Sequence, residues 1–376
     1  MIISNISSHK MDNQVEVSAL IDGYRLWYRF PDEFSVSLSA EPFLAASFFA
    51  ASLSGQTLEI EDSKTASPRL LANFKRLQLI FGTWKADLTP FTVNVQAAIP
   101  HVDNEMVCSF FSGGVDGLYT LVNNESEITH LVYINGFDFH VSSEEFAINV
   151  QRLKDLSAPF GKEIIPVETN FYEFDKLYGV GRQWSHGACL ASVALLLQPA
   201  KCIVPTSYTY RDLRPWGTHP LTDNLWSTEV TEIVHDTADL ERPEKIQRIA
   251  ERSQALLDNL VVCWKYPDRN CGRCLKCIRT MIILKLLGID SEAFPSSISS
   301  EYVSKISPSQ HYHAYFEDLL RFAIKQGDES MAQALRKSLS VSMTRKIIKL
   351  IDDKYLNRSI RSGLRYFQKK RSRDPE

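Results

Sequence analysis

The stretch Met106-Val-Cys-Ser-Phe-Phe-Ser-Gly-Gly-Val-Asp-Gly-Leu-Tyr-Thr120 constrains the fold more than any other part of the chain. Its apolar run Val107–Phe111 reads as a buried strand. The run breaks into Ser112-Gly113-Gly114-Val115-Asp116-Gly117, and Leu118-Tyr119-Thr120-Leu121-Val122 then reads as a helix start. A strand, a glycine turn and a helix N-terminus together form an anion-binding cup. The unpaired N–H groups of the first helical turn point at the loop, and the helix dipole favours negative charge there. Adjacent glycines let the backbone approach a phosphate with no Cβ in the way. The loop is neither Gly-x-x-x-x-Gly-Lys, since no lysine follows its glycines, nor Gly-x-Gly-x-x-Gly. The expectation is a loop that holds nucleotide phosphates; the plain alternative is a glycine-rich turn with Asp116 near a helix N-terminus.

Residues 106 to about 290 alternate strand and helix. Strands are expected at 129–135, 163–168, 201–205 and 232–235. Helices are expected after the loop, after the capping-box pattern Ser142-Ser-Glu-Glu145, at 187–197 and at 243–260. Such repeats predict an α/β fold, a parallel sheet with helices on both faces, with ligand outside the carboxyl ends of the strands. Residues 1–105 read as a small α+β accessory domain. It has hairpin strands around Asp22-Gly23, a buried helix at 42–54 and short strands at 57–61 and 91–95. Ser67-Pro68 introduces a helix at 69–84, with Leu70, Leu71, Phe74, Leu77, Leu79 and Ile80 on its apolar side. No cluster of catalytic residue types lies in this part, so packing, oligomerisation or docking is its expected role. Residues 291–376 carry helix-period patterns only, and Arg345–Arg373 holds eleven Lys/Arg against two Asp. That run is either a solvated helix face or a contact for nucleic acid or an acidic protein.

Four of the seven cysteines form Cys263-(seven residues)-Cys271-Gly-Arg-Cys274-Leu-Lys-Cys277. Four thiolates at this spacing suit tetrahedral Zn²⁺, at ~2.3 Å per Zn–S bond, and leave no ligand position open, so the site is structural. A [4Fe–4S] cluster is the competing assignment. Arg273, Lys276 and Arg279 can offset the thiolate charge. Cys108, Cys189 and Cys202 stand singly in apolar segments and read as small core residues. The tight cluster argues for a metal site in a reducing compartment and against a disulfide framework. A net charge of −3 does not suit a polyanion binder as a whole. The opening Met1-Ile-Ile-Ser-Asn has no signal-peptide pattern, and the apolar runs 43–53 and 188–197 are too short to span a bilayer. A cytoplasmic protein without a membrane partner is expected.

Ser112-Gly113-Gly114-x-Asp116 after a strand resembles the pyrophosphate-binding loop of the N-type ATP pyrophosphatases, the PP-loop superfamily. The resemblance implies that Ser112, Gly113, Gly114, Val115, Asp116 and Gly117 bind ATP. The serine and backbone amides would hold pyrophosphate, and Asp116 would order the loop and its Mg²⁺. Gly117 stands where that family has Ser or Thr. Combined with the cysteine cluster, residues 106–290 resemble the 7-cyano-7-deazaguanine synthase family. That implies adenylation of a carboxylate on a deazapurine-like acid, then amide and nitrile formation, with AMP and pyrophosphate released and Zn²⁺ holding the fold.

Further candidates lie beyond the third and fourth expected strands, where loops line such sites. Arg182 suits a phosphate or carboxylate, and Arg211, with Arg214, Trp216 and His219, suits an aromatic acid. Asp116, Arg182 and Arg211 are the expected catalytic residues; His186 is either a ligand contact or a structural histidine. An amine on another molecule can replace ammonia as the nucleophile, which would make the chain a ligase. Two other readings stay open: a non-catalytic nucleotide-binding sensor or scaffold, and an RNA-modifying loop enzyme that uses the basic tail. A homodimer is also expected.

Overall fold

A computed structural model describes residues 1–340 apart from 101, 103, 138, 139 and 264, so the basic stretch Arg345–Arg373 lies outside the described residues. The chain divides into two compact units, Met1–Val262 with Pro267–Arg269, and Cys263–Tyr266 with the chain from Asn270 on.

The first unit begins with an antiparallel meander, β1 (Ile2–Met11), β2 (Gln14–Ile21) and β3 (Tyr24–Pro31). The expected Asp22-Gly23 turn joins β2 to β3, with both residues at positive φ. Then come α1 (Glu41–Ser54), β4 (Leu58–Ile60), β5 (Thr65–Ala66), α2 (Pro68–Trp84), β6 (Val93–Asn94) and β7 (Gln96–Ala97). The alternating part follows: β8 (Val107–Phe110), α3 (Val115–Asn123), β9 (His130–Asn135), α4 (Ser143–Ser157), β10 (Glu163–Thr169), α5 (Phe171–Leu177), α6 (Arg182–Leu197), β11 (Lys201–Val204), β12 (Glu232–His235), α7 (Arg242–Arg252) and α8 (Gln254–Asp258).

Ten of these strands form one sheet in the order β12-β11-β8-β9-β10-β3-β2-β1-β4-β6, flanked by helices. The pairs from β12 to β10 are all parallel. After β8 the chain lays β9 and β10 to one side, then returns to lay β11 and β12 on the other. The strand order therefore reverses between β8 and β11. In a doubly wound sheet, the crevice at such a switch point, beyond the carboxyl ends of the strands, is where ligands bind.

β3 pairs antiparallel with β10, Arg29 opposite Glu168 and Tyr28 opposite Thr169. The expected boundary between residues 105 and 106 thus falls between strands of one sheet. The core is shared as well. The Tyr28 hydroxyl meets that of Ser192 at 2.9 Å, and Phe48 packs edge-on against Trp226 at 5.3 Å.

Several elements differ from the sequence expectation. The helix expected at 243–260 is two helices, because Ser253 is extended (φ −167°, ψ 120°) and ends α7 before α8 begins. The helix expected from 187 starts at Arg182. The helix after the glycine loop starts at Val115, which puts Asp116 and Gly117 in its first turns. Leu79, expected on the apolar side of α2, is 72% exposed, while Phe81 is buried. β1 and α5 lacked the periodicity to be foreseen; β1 is exposed along most of its length. Cys108, Cys189 and Cys202 are buried as expected.

The second unit is helical: α9 (Leu275–Leu287), α10 (Ser300–Ser304), α11 (Gln310–Lys325) and a further helical stretch over 329–340. No helix among the described residues is long and apolar enough to cross a membrane.

Candidate functional site

The loop between β8 and α3 has the local form the sequence implies. Gly114 caps α3 with an extended backbone and no side-chain cap, so the N-terminus of the helix faces the loop. Gly113 lies at φ +75°, and a Cβ there would meet the Arg152 guanidinium at 2.9 Å. Only glycine takes this conformation without strain and leaves room for the cation. The Gly113 carbonyl accepts from Val261 N–H at 3.0 Å, which pins the loop from its far side.

Arg152 was not foreseen. It projects from α4, the helix begun by the expected Ser142–Glu145 capping box, and donates to the carbonyls of Ser112 (3.3 Å) and Asn259 (3.2 Å). Its guanidinium is thereby held beside the two glycines.

Asp116 sits at a junction of charges. Arg242 donates to Oδ2 at 2.8 Å, Lys245 Nζ lies 3.4 Å from Oδ1, and Ser207 Oγ donates to Oδ2 at 3.3 Å. Lys245 is buried, donates to the Thr206 carbonyl at 2.6 Å and lies over the Tyr119 ring at 5.3 Å. Burial lowers the Lys245 pKa, the Asp116 carboxylate opposes that shift, and Arg242 adds to it. Both cations come from the first turns of α7, and Ser207 follows the end of β11. The loop, two helix N-termini and three strand ends thus gather at the switch point of the sheet. Sequence reading missed Arg242 and Lys245, although the Glu241–Glu244 capping box after the last parallel strand is the signal that places them.

Gly117 turns away from this junction. A Cβ there would lie 3.4 Å from the Phe110 carbonyl and from the Phe111 ring, at ordinary van der Waals distance.

Arg211 is exposed and forms ion pairs with Asp212 at 3.2 Å and with Glu241, the cap of α7, at 2.7 Å. Arg214 lies over the Tyr208 ring at 4.7 Å, and Tyr208 meets Trp216 edge-on at 6.1 Å. His219 is buried, accepts Leu221 N–H on Nδ1 at 3.0 Å and stands edge-on to Trp84 at 4.9 Å. Burial lowers its pKa, as does the nearby His235, and Asp223 opposes both.

Arg182 belongs to a different cluster, beyond β10. Its guanidinium lies 5.0 Å over Phe137 and 5.6 Å over Tyr172, and His186 also packs against Phe137, at 4.6 Å. Here the buried Asp175 accepts a hydrogen bond from Ser185. Burial pushes the Asp175 pKa up to about 7, against the Ser185 hydrogen bond and the Arg182 charge. A carboxyl that titrates near neutrality beside an arginine is a group sequence alone did not flag.

No protein-family model, curated protein or solved structure matches the chain.

In the second unit, the sulfurs of Cys263, Cys271, Cys274 and Cys277 all lie within 4.8 Å of one another, and the cluster can hold a metal ion such as zinc. Tetrahedral bonds of ~2.3 Å place sulfurs about 3.8 Å apart. The Cys274–Cys277 and Cys271–Cys277 separations, 3.4 and 4.0 Å, bracket that edge. Backbone N–H groups of Lys265, Arg273 and Cys274 point at the sulfurs from 3.3 to 3.5 Å, as thiolate charge requires. The donor set is all sulfur, which suits zinc or an iron–sulfur cluster and excludes magnesium or calcium.

Proposed function

We propose that the chain activates a carboxylic acid with ATP at the β8–α3 loop, releasing pyrophosphate and then AMP. One observation carries this reading: a glycine loop at the switch point of a parallel sheet, lined by Arg152 and joined through Asp116 to Arg242 and Lys245. Three cations and a helix N-terminus favour a polyanion of small size, and pyrophosphate fits that description.

The substrate carboxylate oxygen attacks the α-phosphorus of ATP. The α–β anhydride bond breaks, and pyrophosphate leaves with the electron pair. The amides after Gly113 and the Arg152 guanidinium hold that leaving group, and Lys245 and Arg242 balance its charge. Mg²⁺, when bound, supplies further neutralisation of the phosphates. In the second half, an amine nitrogen adds to the acyl carbon and loses a proton, and AMP departs. Ammonia gives an amide, and a second activation with loss of water gives a nitrile; an amine on a larger molecule gives a ligated product. No covalent protein nucleophile is needed. The resemblance to 7-cyano-7-deazaguanine synthases points to a deazapurine-like acid, and Zn²⁺ at the four cysteines has a structural part.

A second reading, a nucleotide-binding module without turnover, is favoured by one feature. Both carboxylate oxygens of Asp116 face cations, and a carboxylate so paired is a weaker Mg²⁺ ligand. ATP–pyrophosphate exchange with candidate acids separates the two. Exchange that is lost in Asp116→Ala supports activation, whereas ATP binding with no AMP formed across acids and amines supports the module. Full exchange in Asp116→Ala removes the loop from the chemistry.

A further inference from the structure

Behind the phosphate site lies a hydrogen-bonded chain that the proposed chemistry does not use. Asp223 and Thr206 are each 1% exposed. His235 at the end of β12 places Nδ1 2.7 Å from Asp223 Oδ2 and Nε2 2.8 Å from the Thr206 hydroxyl. The other Asp223 oxygen accepts His219 N–H at 3.0 Å. The Thr206 hydroxyl donates to the Tyr208 carbonyl at 3.0 Å, while the Thr206 carbonyl receives Lys245 Nζ at 2.6 Å. Between them, Ser207 reaches Asp116.

A threonine hydroxyl carries one proton. With that proton on the Tyr208 carbonyl, the Thr206 oxygen faces His235 Nε2 as an acceptor, and His235 Nδ1 lies at hydrogen-bond distance from the Asp223 carboxylate, so the imidazole is held at both ring nitrogens. The other charged or titratable groups that face this chain include His219 and Cys202, against Asp223, and Lys245, beyond Thr206.

We propose that His235 is a positioning residue for the phosphate site: acting through Thr206, it fixes the turn Thr206–Tyr208, which presents the Thr206 carbonyl to Lys245 and Ser207 to Asp116. The role of that turn in anion binding rests on the loop reading above; the mechanical link does not. Without the His235–Thr206 bond the hydroxyl keeps only its bond to the Tyr208 carbonyl, the turn loses its anchor to β12, and the carbonyl that meets the buried ammonium is held less firmly.

Three full-length variants test this: Thr206→Val, which keeps shape and removes the hydroxyl; Thr206→Ser, which keeps it; and His235→Asn, which cannot reach Thr206. Amide hydrogen exchange and calorimetric binding of inorganic pyrophosphate are measured on each. In Thr206→Val and His235→Asn, exchange over residues 207–214 is expected to rise about tenfold, as loss of one buried hydrogen bond implies. Strands Val107–Phe110 and Lys201–Val204 are expected to stay protected, and pyrophosphate affinity to fall about tenfold. Thr206→Ser is expected to behave as the parent protein. Unchanged exchange over 207–214 in either Thr206→Val or His235→Asn overturns the proposal, as does failure of Thr206→Ser to retain the parent pattern. If the exchange results hold but the parent protein does not bind pyrophosphate, the positioning role stands and the phosphate-site reading falls.

Discussion

Arg242 donates to the Asp116 carboxylate at 2.8 Å, joining the first turns of two helices that lie 126 residues apart in the chain. Lys245, one turn further along the same helix, adds a buried ammonium to the same carboxylate. Removing Asp116 leaves that ammonium with the Thr206 carbonyl but without its anion. Asp116→Ala is expected to lower stability by about 2–3 kcal/mol, the cost of breaking a buried pair from one side. Denaturant unfolding measures it. Arg242→Ala leaves Lys245 paired with Asp116, so a smaller loss is expected, of roughly 1 kcal/mol.

Gly113 and Gly117 are expected to respond in opposite senses. Gly113 is at positive φ with the Arg152 guanidinium where a Cβ would stand. Gly113→Ala therefore costs about 1–2 kcal/mol in backbone strain and displaces Arg152. Gly117 is helical and has van der Waals room, so Gly117→Ala stabilises by about 0.5–1 kcal/mol through helix propensity. Thermal melting of the two variants beside the parent protein checks both signs. Gly117→Ser adds the hydroxyl that PP-loop enzymes carry, and its pyrophosphate affinity is the readout of whether that hydroxyl reaches the ligand.

Asp175 gives the protein a specific pH dependence. Burial raises its folded-state pKa to about 7, from an unfolded value of 3.8. The folded protein therefore holds a proton that the unfolded chain has lost, and the stabilisation is complete below the unfolded value. It declines as pH rises from about 4 and is gone above about 7, for a total on the order of 4 kcal/mol. Asp175→Asn removes this titration. Urea midpoints at pH 5 and pH 8 should differ less in the variant than in the parent protein; an equal difference would assign the pH dependence to other groups.

The cysteine cluster predicts one metal ion per chain. Elemental analysis is expected to find zinc in stoichiometric amount and iron absent, and iron in stoichiometric amount would replace zinc with an iron–sulfur cluster. Cys277 is buried, so Cys277→Ser is expected to abolish metal retention and to expose the second unit to proteolysis. A strong chelator at low pH should do the same to the parent protein, because protons compete for the thiolates.

The parallel strands, the loop and the Ser142–Glu145 capping box were legible because each is a local pattern. Val107–Phe111 runs apolar, Gly113-Gly114 marks a turn, and Ser142 with Glu145 closes a helix start within four residues. The join between residues 1–105 and the rest was not legible. Pairing of β3 with β10 depends on two strands well separated in sequence having compatible edges, and nothing local in either announces its partner. The break at Ser253 was missed for a related reason: residues 243–260 keep a helical period across it, and serine is not a strong breaker. In the sequence Arg182 and Arg211 look alike, yet one lies over Phe137 and Tyr172 in a separate cluster and the other is exposed between two carboxylates.

By itself the sequence determined that a strand hands its chain to a helix through Ser112–Gly117, and that four cysteines stand close enough in the chain to share one ion. Those are matters of backbone freedom and short spacing, settled within a few residues. The tertiary structure alone decided what faces Asp116. Arg242, Lys245 and Ser207 reach it only because β8, β11 and β12 lie side by side in one parallel sheet and end at the same edge. A charge buried at such an edge must find its partners there, and the order of the strands, not the order of the residues, chooses them.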